Sequence, residues 1–477
     1  MRRGAAGAAG EQSAHAGLPS VAYVNLGCRV NRVETDLIAD ELTRTGLAVS
    51  PEEEAQAVVI NTCAVTAEAE AKARKAVRHA ASLPQAPLVV ATGCVANLFA
   101  DELAALAPNV TVERDKSRVP AAVLEGLGAG ALAVGDDGEL LSGASVVSAS
   151  TPTPTGRTRP GIKIQDGCDN RCTYCIVWKA RGASRSVDAA RVRELVLRSL
   201  ERGASEVVLT GINLGVYRSQ LPDGREVALP GLLAWLLETT PVGRIRLSSI
   251  EPPDVTDDLL STMAASNGRI APFLHICLQS GCDATLKRMA RAYDTAYFRS
   301  AVVRAHEFLP QASLGTDLIV GFPGETDEEF EQSLSFCREM GFSRMHVFRY
   351  SKRPGTPAAT EEGQVDPHVM AERSARAPMV MAHAVRHLAQ EDVDLVGGGN
   401  LSALDRLDEL REDRGDLLDL LGRSHDEDLV ATHHDHGLVE SALDAAKVRV
   451  GRAHEGRGVN GIGNREADAG GFHAPPG

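Results

Sequence analysis

Two rhythms of apolar and polar positions alternate along residues 20–118. Short apolar runs at Ala22–Gly27 (AYVNLG), Val58–Asn61 (VVIN) and Leu88–Gly93 (LVVATG) predict strands. Glu34–Thr45, Ala67–Ser82 and Ala96–Leu106 space their apolar residues as helices do. The resulting βαβαβα order predicts a parallel sheet, because parallel neighbours need a crossover between them. Residues 119–157 lose both rhythms and read as a linker, marked by TPTPTG at Thr151–Gly156. A second block, residues 158–388, holds six strand patterns: Ile162–Gln165, Glu206–Gly211, Arg244–Ile250, Phe273–Gln279, Ser313–Gly321 and Ser343–Ser351. Helical stretches such as Ala189–Arg202 and Asp327–Met340 separate them. Six βα units predict an incomplete, TIM-like (βα)6 barrel. The expected fold class is therefore α/β, a parallel-sheet βαβ domain followed by a partial barrel. Residues 389–477 carry neither rhythm, apart from an acidic amphipathic helix pattern at Leu401–Gly422. Residues 1–19 have two arginines with no apolar run behind them and read as a disordered leader rather than a secretory signal.

Composition narrows the classes. Hydrophobic residues make up 43% of the 477 positions but aromatics only 4%, so the cores must be built from Ala, Val and Leu. No apolar run reaches the ~20 residues of a membrane helix, which points to a cytoplasmic protein. The net charge of −14 opposes binding to a polyanion. Residues 390–477 contain 19 Asp and Glu against 9 Lys and Arg, so most of the excess belongs to the tail and leaves the two blocks nearer neutrality. His433, His434 and His436 in that tail read as solvated side chains.

The nine cysteines are an odd number without a secretory signal, which disfavours a disulfide framework. Cys168, Cys172 and Cys175 form a CxxxCxxC run directly after the first barrel strand, at the end where parallel sheets bind ligands. Three thiolates can hold three irons of a 4Fe–4S cluster and leave the fourth open to chelate S-adenosylmethionine, unlike a site with four cysteine ligands. Zinc needs four ligands, and no fourth Cys or His lies nearby in sequence. Cys28, Cys63 and Cys94 each follow the end of a predicted strand. Three parallel strands would bring these thiols along one sheet edge, where they could hold a second cluster; the competing reading is three buried, inert cysteines. Cys277, Cys282 and Cys337 read as packing residues. In GFPGETDEEF, Gly324, Thr326 and Glu329 read as a turn with a capping box, because the Gly-Lys-Ser/Thr ending of a phosphate loop is absent.

These segments resemble the radical S-adenosylmethionine methylthiotransferases over roughly Ala22 to Ala359. LGCRVNRVE, INTCAVTAEAEAKAR and ATGCVAN look like the three cluster segments of that family's amino-terminal domain, and KIQDGCDNRCTYCI like its radical loop. LTGINLG, RLSSIEP, HICLQSGCDATLKRM, GTDLIVGFPGETDEEF and HVFRYSKRPGTPAA look like further family blocks, and several of them resemble most the branch acting on N6-threonylcarbamoyladenosine of tRNA. The resemblance implies a transferase with two 4Fe–4S clusters. The Cys168, Cys172, Cys175 cluster would cleave S-adenosylmethionine and the Cys28, Cys63, Cys94 cluster would present the sulfur. A methylthio group would then join C2 of the adenine beside the anticodon. It also implies tRNA, an electron donor such as flavodoxin or ferredoxin and a sulfur donor as partners, and a monomer. Together with barrel geometry it makes Gly211, Asn213, Ser249, Glu251, Gln279 and Asp317 candidates for S-adenosylmethionine contacts, capping of loops being the alternative. Arg181 and Arg185 are candidates for tRNA phosphates or the cofactor carboxylate. Alternative substrates are isopentenyladenosine of tRNA and an aspartate of a ribosomal protein; an iron–sulfur redox sensor is the alternative from another class. Two departures stand out. Trp178-Lys179 replaces the usual Pro and its neighbour, and the acidic tail replaces the basic, TRAM-like β-barrel expected to bind tRNA, either as a different domain or through a shifted reading frame.

Overall fold

The structure, a computed structural model, describes residues 19–128 and 158–379. The leader, the Thr151–Gly156 linker signal and the acidic tail lie outside the described residues. Ser20–Asn25 (β1), Ala48–Val49 (β2), Ala57–Thr62 (β3), Leu88–Gly93 (β4) and Val110–Val112 (β5) form one parallel sheet in the order β2-β1-β3-β4-β5. All six residues of β3 are buried, because helices cover both faces. Val58 and Ile60 pack with Ala73, Val77 and Ala80 of helix Ala67–Ala81 (labelled α2, after α1 at Arg29–Arg44). Ala57 and Val59 pack with Ile38 and Leu42 of α1 on the other face. Thr66 starts α2 by accepting a hydrogen bond from the Ala69 N–H at 3.0 Å.

Three local expectations need correction. Val119–Gly126, the first part of the stretch read as linker, is a helix with Val119 and Val123 buried against the α1 face. It is too short to show a helical period. The predicted Ala96–Leu106 helix is two short helices, Cys94–Leu98 and Ala100–Ala104, broken at Phe99 (φ −137°, ψ 46°). Strands β2 and β5, of two and three residues, were not predicted at all.

The second block opens with Gly161–Lys163 (β6) and a small antiparallel pair, Gln165–Asp166 (β7) and Arg185–Ser186 (β8). Glu206–Thr210 (β9) follows. An unpredicted hairpin, Arg218–Gln220 (β10) and Glu226–Ala228 (β11), comes next. Arg244–Leu247 (β12), Phe273–His275 (β13), Ser313–Val320 (β14) and Arg344–Arg349 (β15) complete the block. Strands β6, β9 and β12 pair in parallel, as do β13, β14 and β15. Parallel bridges Ile245–Ile270 and Ile250–Ile276 link the two sets. These six parallel strands are the partial barrel. Regular strand ends at His275 rather than Gln279, whose φ of +67° bends the chain. Leu209, Leu247, Ile276, Leu278 and Leu318 face the surrounding helices and form the main core.

The amino-terminal layer grips both edges of this open barrel. At β6, a Cβ on Gly161 would lie 2.3 Å from Val33 of α1, and Lys163 Nζ meets Glu34 Oε1 at 2.7 Å. Beyond β15, Ser351 Oγ accepts from the Ala67 N–H at 2.8 Å, Arg349 meets Glu68 at 3.2 Å, and Arg353 pairs with Glu70.

Candidate functional site

Strands β1, β3 and β4 end side by side, with Asn25 opposite Asn61 and Thr62 opposite Gly93. Each chain then turns sharply at the same edge, and a cysteine stands in each turn. Cys28 is the N-cap of α1, Cys63 follows β3, and Cys94 begins its short helix. Two glycines make the turns possible. Gly27 (φ +114°) has no room for a side chain, since a Cβ would sit 2.6 Å from Cys63 Sγ. At Gly93 (φ +97°) a Cβ would meet the Thr62 carbonyl oxygen at 2.4 Å. Asn31 pins two of the turns, donating to the carbonyls of Leu26 at 3.0 Å and Thr62 at 2.9 Å. Thr62 Oγ1 adds the third by donating to the Thr92 carbonyl at 2.6 Å.

The thiols sense one another. Burial pushes Cys63 up to about 11, and the charges that Cys28 and Cys94 would carry push the same way. Burial likewise raises Cys28, with Arg181 opposing it. Thiols that resist ionising singly suit a group that brings its own positive charge, as iron does, so the donor set fits a cluster.

The second trio lies in the loop after β7. The Cys168 N–H donates to the Gly182 carbonyl at 3.1 Å, and the Val177 N–H donates to Cys175 Sγ at 3.4 Å. Thr173 is held on three sides, through the Met289 carbonyl at 3.1 Å, the Arg288 carbonyl at 2.9 Å and the Ala358 N–H at 3.0 Å. Burial pushes Cys175 up to about 12, and Cys172 and Cys168 add to it. This trio passes the same test of donor chemistry.

From here a polar line runs into the barrel. Arg291 Nη1 donates to Cys172 Sγ at 3.0 Å and its other arm pairs with Glu251. Burial raises the Glu251 carboxyl despite that arginine. Cys277 Sγ lies 3.8 Å from Asp317 Oδ2. Burial would push Asp317 up, but hydrogen bonds from His275 (2.9 Å) and His346 (3.1 Å) outweigh it and hold the carboxylate well below its usual range. The two imidazoles stack at 5.0 Å. The Gln279 N–H donates to the Asp317 carbonyl at 2.8 Å. Across the barrel, Gln165 Oε1 accepts from the Asn213 N–H at 2.8 Å, and Gly211 leaves the space that Gln165 fills. Asn213 and Arg185 share a cavity of about 300 Å³ with Asp169, Ser184 and Arg218.

Three parts of this arrangement were not read from the sequence. Arg291 sits in RMARAYD with no local pattern to mark it. His275 and His346 were readable in principle, as polar residues inside apolar strands. Cys277, taken for a packing residue, faces Asp317 as well. Arg181 requires a correction: it is 5% exposed and its guanidinium is held by Glu34, Asp166 and Asn31, so it cannot meet a tRNA phosphate or the cofactor carboxylate. Arg185 pairs with Asp166 at 2.8 Å but keeps a 60% exposed side chain.

Residues 162–337 match the family described as the Radical SAM superfamily, and residues 20–113 match that described as Uncharacterized protein family UPF0004. The Threonylcarbamoyladenosine tRNA methylthiotransferase MtaB of Thermotoga maritima is 35% identical over 350 residues, covering 73% of this chain and 78% of that one. The chain belongs to the radical S-adenosylmethionine methylthiotransferase family. A tRNA-2-methylthio-N(6)-dimethylallyladenosine synthase of Erythrobacter litoralis is 32% identical over 361 residues, covering 74% and 79%. Among solved structures, the radical S-adenosylmethionine methyltransferase TsrM of Kitasatospora setae aligns with a TM-score of 0.49 and 14% identity over 72% of this chain and 77% of that chain. The cofactors of this methylthiotransferase are S-adenosylmethionine and two 4Fe–4S clusters. Among the described residues of the methylthiotransferase, no helix is long and apolar enough to cross a membrane.

Proposed function

We propose that this methylthiotransferase adds a methylthio group to C2 of N6-threonylcarbamoyladenosine beside the anticodon of tRNA. The observation that carries the reading is the pair of cysteine trios, one on the edge of the five-stranded sheet and one at the barrel mouth. In this reading residues 20–118 hold a cluster through Cys28, Cys63 and Cys94. Residues 158–388 hold the other through Cys168, Cys172 and Cys175. When bound, the second cluster and S-adenosylmethionine supply a carbon-centred radical, which C2 requires because it has no acidic proton for a base to remove.

The chain's own residues bind and orient. Glu251, fixed by Arg291, and Asp317, kept ionised by two histidines, offer acceptors to the amino and hydroxyl groups of S-adenosylmethionine. Gly211, Asn213, Ser249 and Gln279 complete the lining. Arg185 and Arg218, at the cavity beside the radical loop, face the tRNA backbone. The chain acts in the cytoplasm as a monomer, with an electron donor such as flavodoxin or ferredoxin and a separate sulfur donor.

Relatives named for threonylcarbamoyladenosine share 33–36% identity with this chain, against 31–32% for those named for dimethylallyladenosine, which favours the first substrate. The test is mass spectrometry of tRNA nucleosides from cells with and without the gene. Loss of the methylthiolated threonylcarbamoyl nucleoside supports the reading. Loss of the methylthiolated isopentenyl nucleoside moves the chain to the other branch, and no change in either removes tRNA as substrate. The anaerobically reconstituted chain should also yield 5′-deoxyadenosine under reductant; a redox sensor would yield none.

A further inference from the structure

Arg181 ends the helix Val177–Arg181 that follows Cys175, yet its side chain reaches into the five-stranded layer. Nη1 meets Glu34 Oε1 at 2.8 Å and Asp166 Oδ1 at 3.0 Å, and Nη2 meets Asn31 Oδ1 at 2.6 Å. That same Asn31 oxygen accepts from Cys28 Sγ at 3.7 Å. On the helix's other side, Ile176 and Ala180 lie in the apolar cluster that contains Cys94, and Asn97 Nδ2 donates to the Ala180 carbonyl at 2.7 Å. Arg181 Nε is buried and has no hydrogen-bond acceptor. Its positive charge is felt by Cys28, and a charge on Cys94 would be felt by Arg181.

The surrounding charges do not balance. Among the described residues, the ion pairs of this network join Lys116, Lys163, Arg181 and Arg185 to Glu34 and Asp166, four cations and two carboxylates. Arg185 is largely in solvent, but the Arg181 side chain is buried, and a buried positive charge is costly unless anions meet it.

We propose that Arg181 is a positioning residue for methylthiolation: anchored by Glu34 and Asp166, it turns its charge and its free Nε–H toward the anionic iron–sulfur group on Cys28, Cys63 and Cys94. The radical loop and the amino-terminal cluster are thereby tied through one guanidinium. This rests on the reading that these cysteines hold a cluster. A cation so placed stabilises the reduced, more negative form of that group.

The test uses the full chain with Cys168, Cys172 and Cys175 replaced by Ala, reconstituted anaerobically with iron and sulfide and followed by electron paramagnetic resonance in a redox titration. Arg181→Gln should lower the reduced-to-oxidised ratio at fixed potential about tenfold, which is about 59 mV for one electron. Arg181→Lys, which keeps the charge, should stay within about threefold of the parent by the same scale. Asp166→Asn, which removes an anion beside Arg181, should raise the ratio. An arginine that only holds the fold would change thermal stability and leave the ratio alone; that result overturns the proposal. If Arg181→Gln does not fold, Asp166→Asn decides by sign, and an unchanged or lower ratio is the refuting outcome. A parent that takes up no iron overturns the cluster assignment, and this inference with it.

Discussion

Glu34→Gln should cost about 3 kcal/mol of stability at neutral pH in the metal-free chain. Glu34 is on the buried face of α1 with its side chain 3% exposed and accepts from Arg181 at 2.8 Å, Lys163 at 2.7 Å and Lys116 at 3.1 Å. Burial raises its pKa, but these cations more than offset that and bring it from 4.5 down to about 2. Each unit is worth about 1.4 kcal/mol, so a drop from 4.5 to about 2 gives roughly 3 kcal/mol. That agrees with the ~3–5 kcal/mol cost of removing one partner of a buried ion pair. The sign follows from a depressed folded-state pKa. The stabilisation is complete above the unfolded value near 4.5 and disappears as pH falls through about 2. Urea unfolding followed by tryptophan fluorescence suits the assay, because Trp178 is on the Arg181 helix. The gap between parent and variant should be full at pH 7 and at most about half as large at pH 3 by the linkage relation. A gap under about 1 kcal/mol at pH 7, typical of exposed pairs, or one that does not change between these two pH values, would refute the reasoning.

Gly93→Ala should destabilise the chain by about 1–3 kcal/mol, because alanine must adopt φ +97° with its Cβ 2.4 Å from the Thr62 carbonyl oxygen. Iron bound per chain should fall with it, and full iron content would contradict the close-turn argument. Arg291→Lys loses the fork that joins Cys172 to Glu251, so 5′-deoxyadenosine formation should drop about 10–100-fold; an unaltered rate would show that the fork is dispensable. Asp317→Asn leaves His275 and His346 without their carboxylate and should weaken S-adenosylmethionine binding about tenfold, or ~1.4 kcal/mol. Equilibrium dialysis with equal affinities for both chains would exclude Asp317 from the binding surface.

What could be read from the sequence was local and periodic. Helix Asp327–Met340 was predicted to the residue, and Thr326 and Glu329 do form its capping box. The edge shared by Cys28, Cys63 and Cys94 was legible because strand-then-turn recurs three times in β1, β3 and β4. What failed was short or nonlocal. Strands β2 and β5 carry too few residues for a pattern. The strand predicted to reach Gln279 stops at His275, and the backbone angle that bends the chain at Gln279 is concealed by its apolar neighbours. Arg181 was read as a candidate for tRNA phosphates or the cofactor carboxylate because its partners, Asn31 and Glu34, are distant in sequence and only the packing of α1 against β6 brings them near. Arg291 was invisible for the same reason, its role being set by Cys172 and Glu251 on other segments.

The grip of α1 on β6 and of α2 on the segment after β15 has a bearing on biogenesis. An incomplete barrel leaves raw strand borders that other chains could extend. On the ribosome the five-stranded layer emerges first, since domains generally fold from the amino terminus. It is therefore in place as a template when Lys163 arrives to meet Glu34 and, much later, when Ser351 reaches Ala67. Until that last contact forms, the nascent barrel keeps one sticky margin, and the interval between the two dockings is when co-translational aggregation is most dangerous.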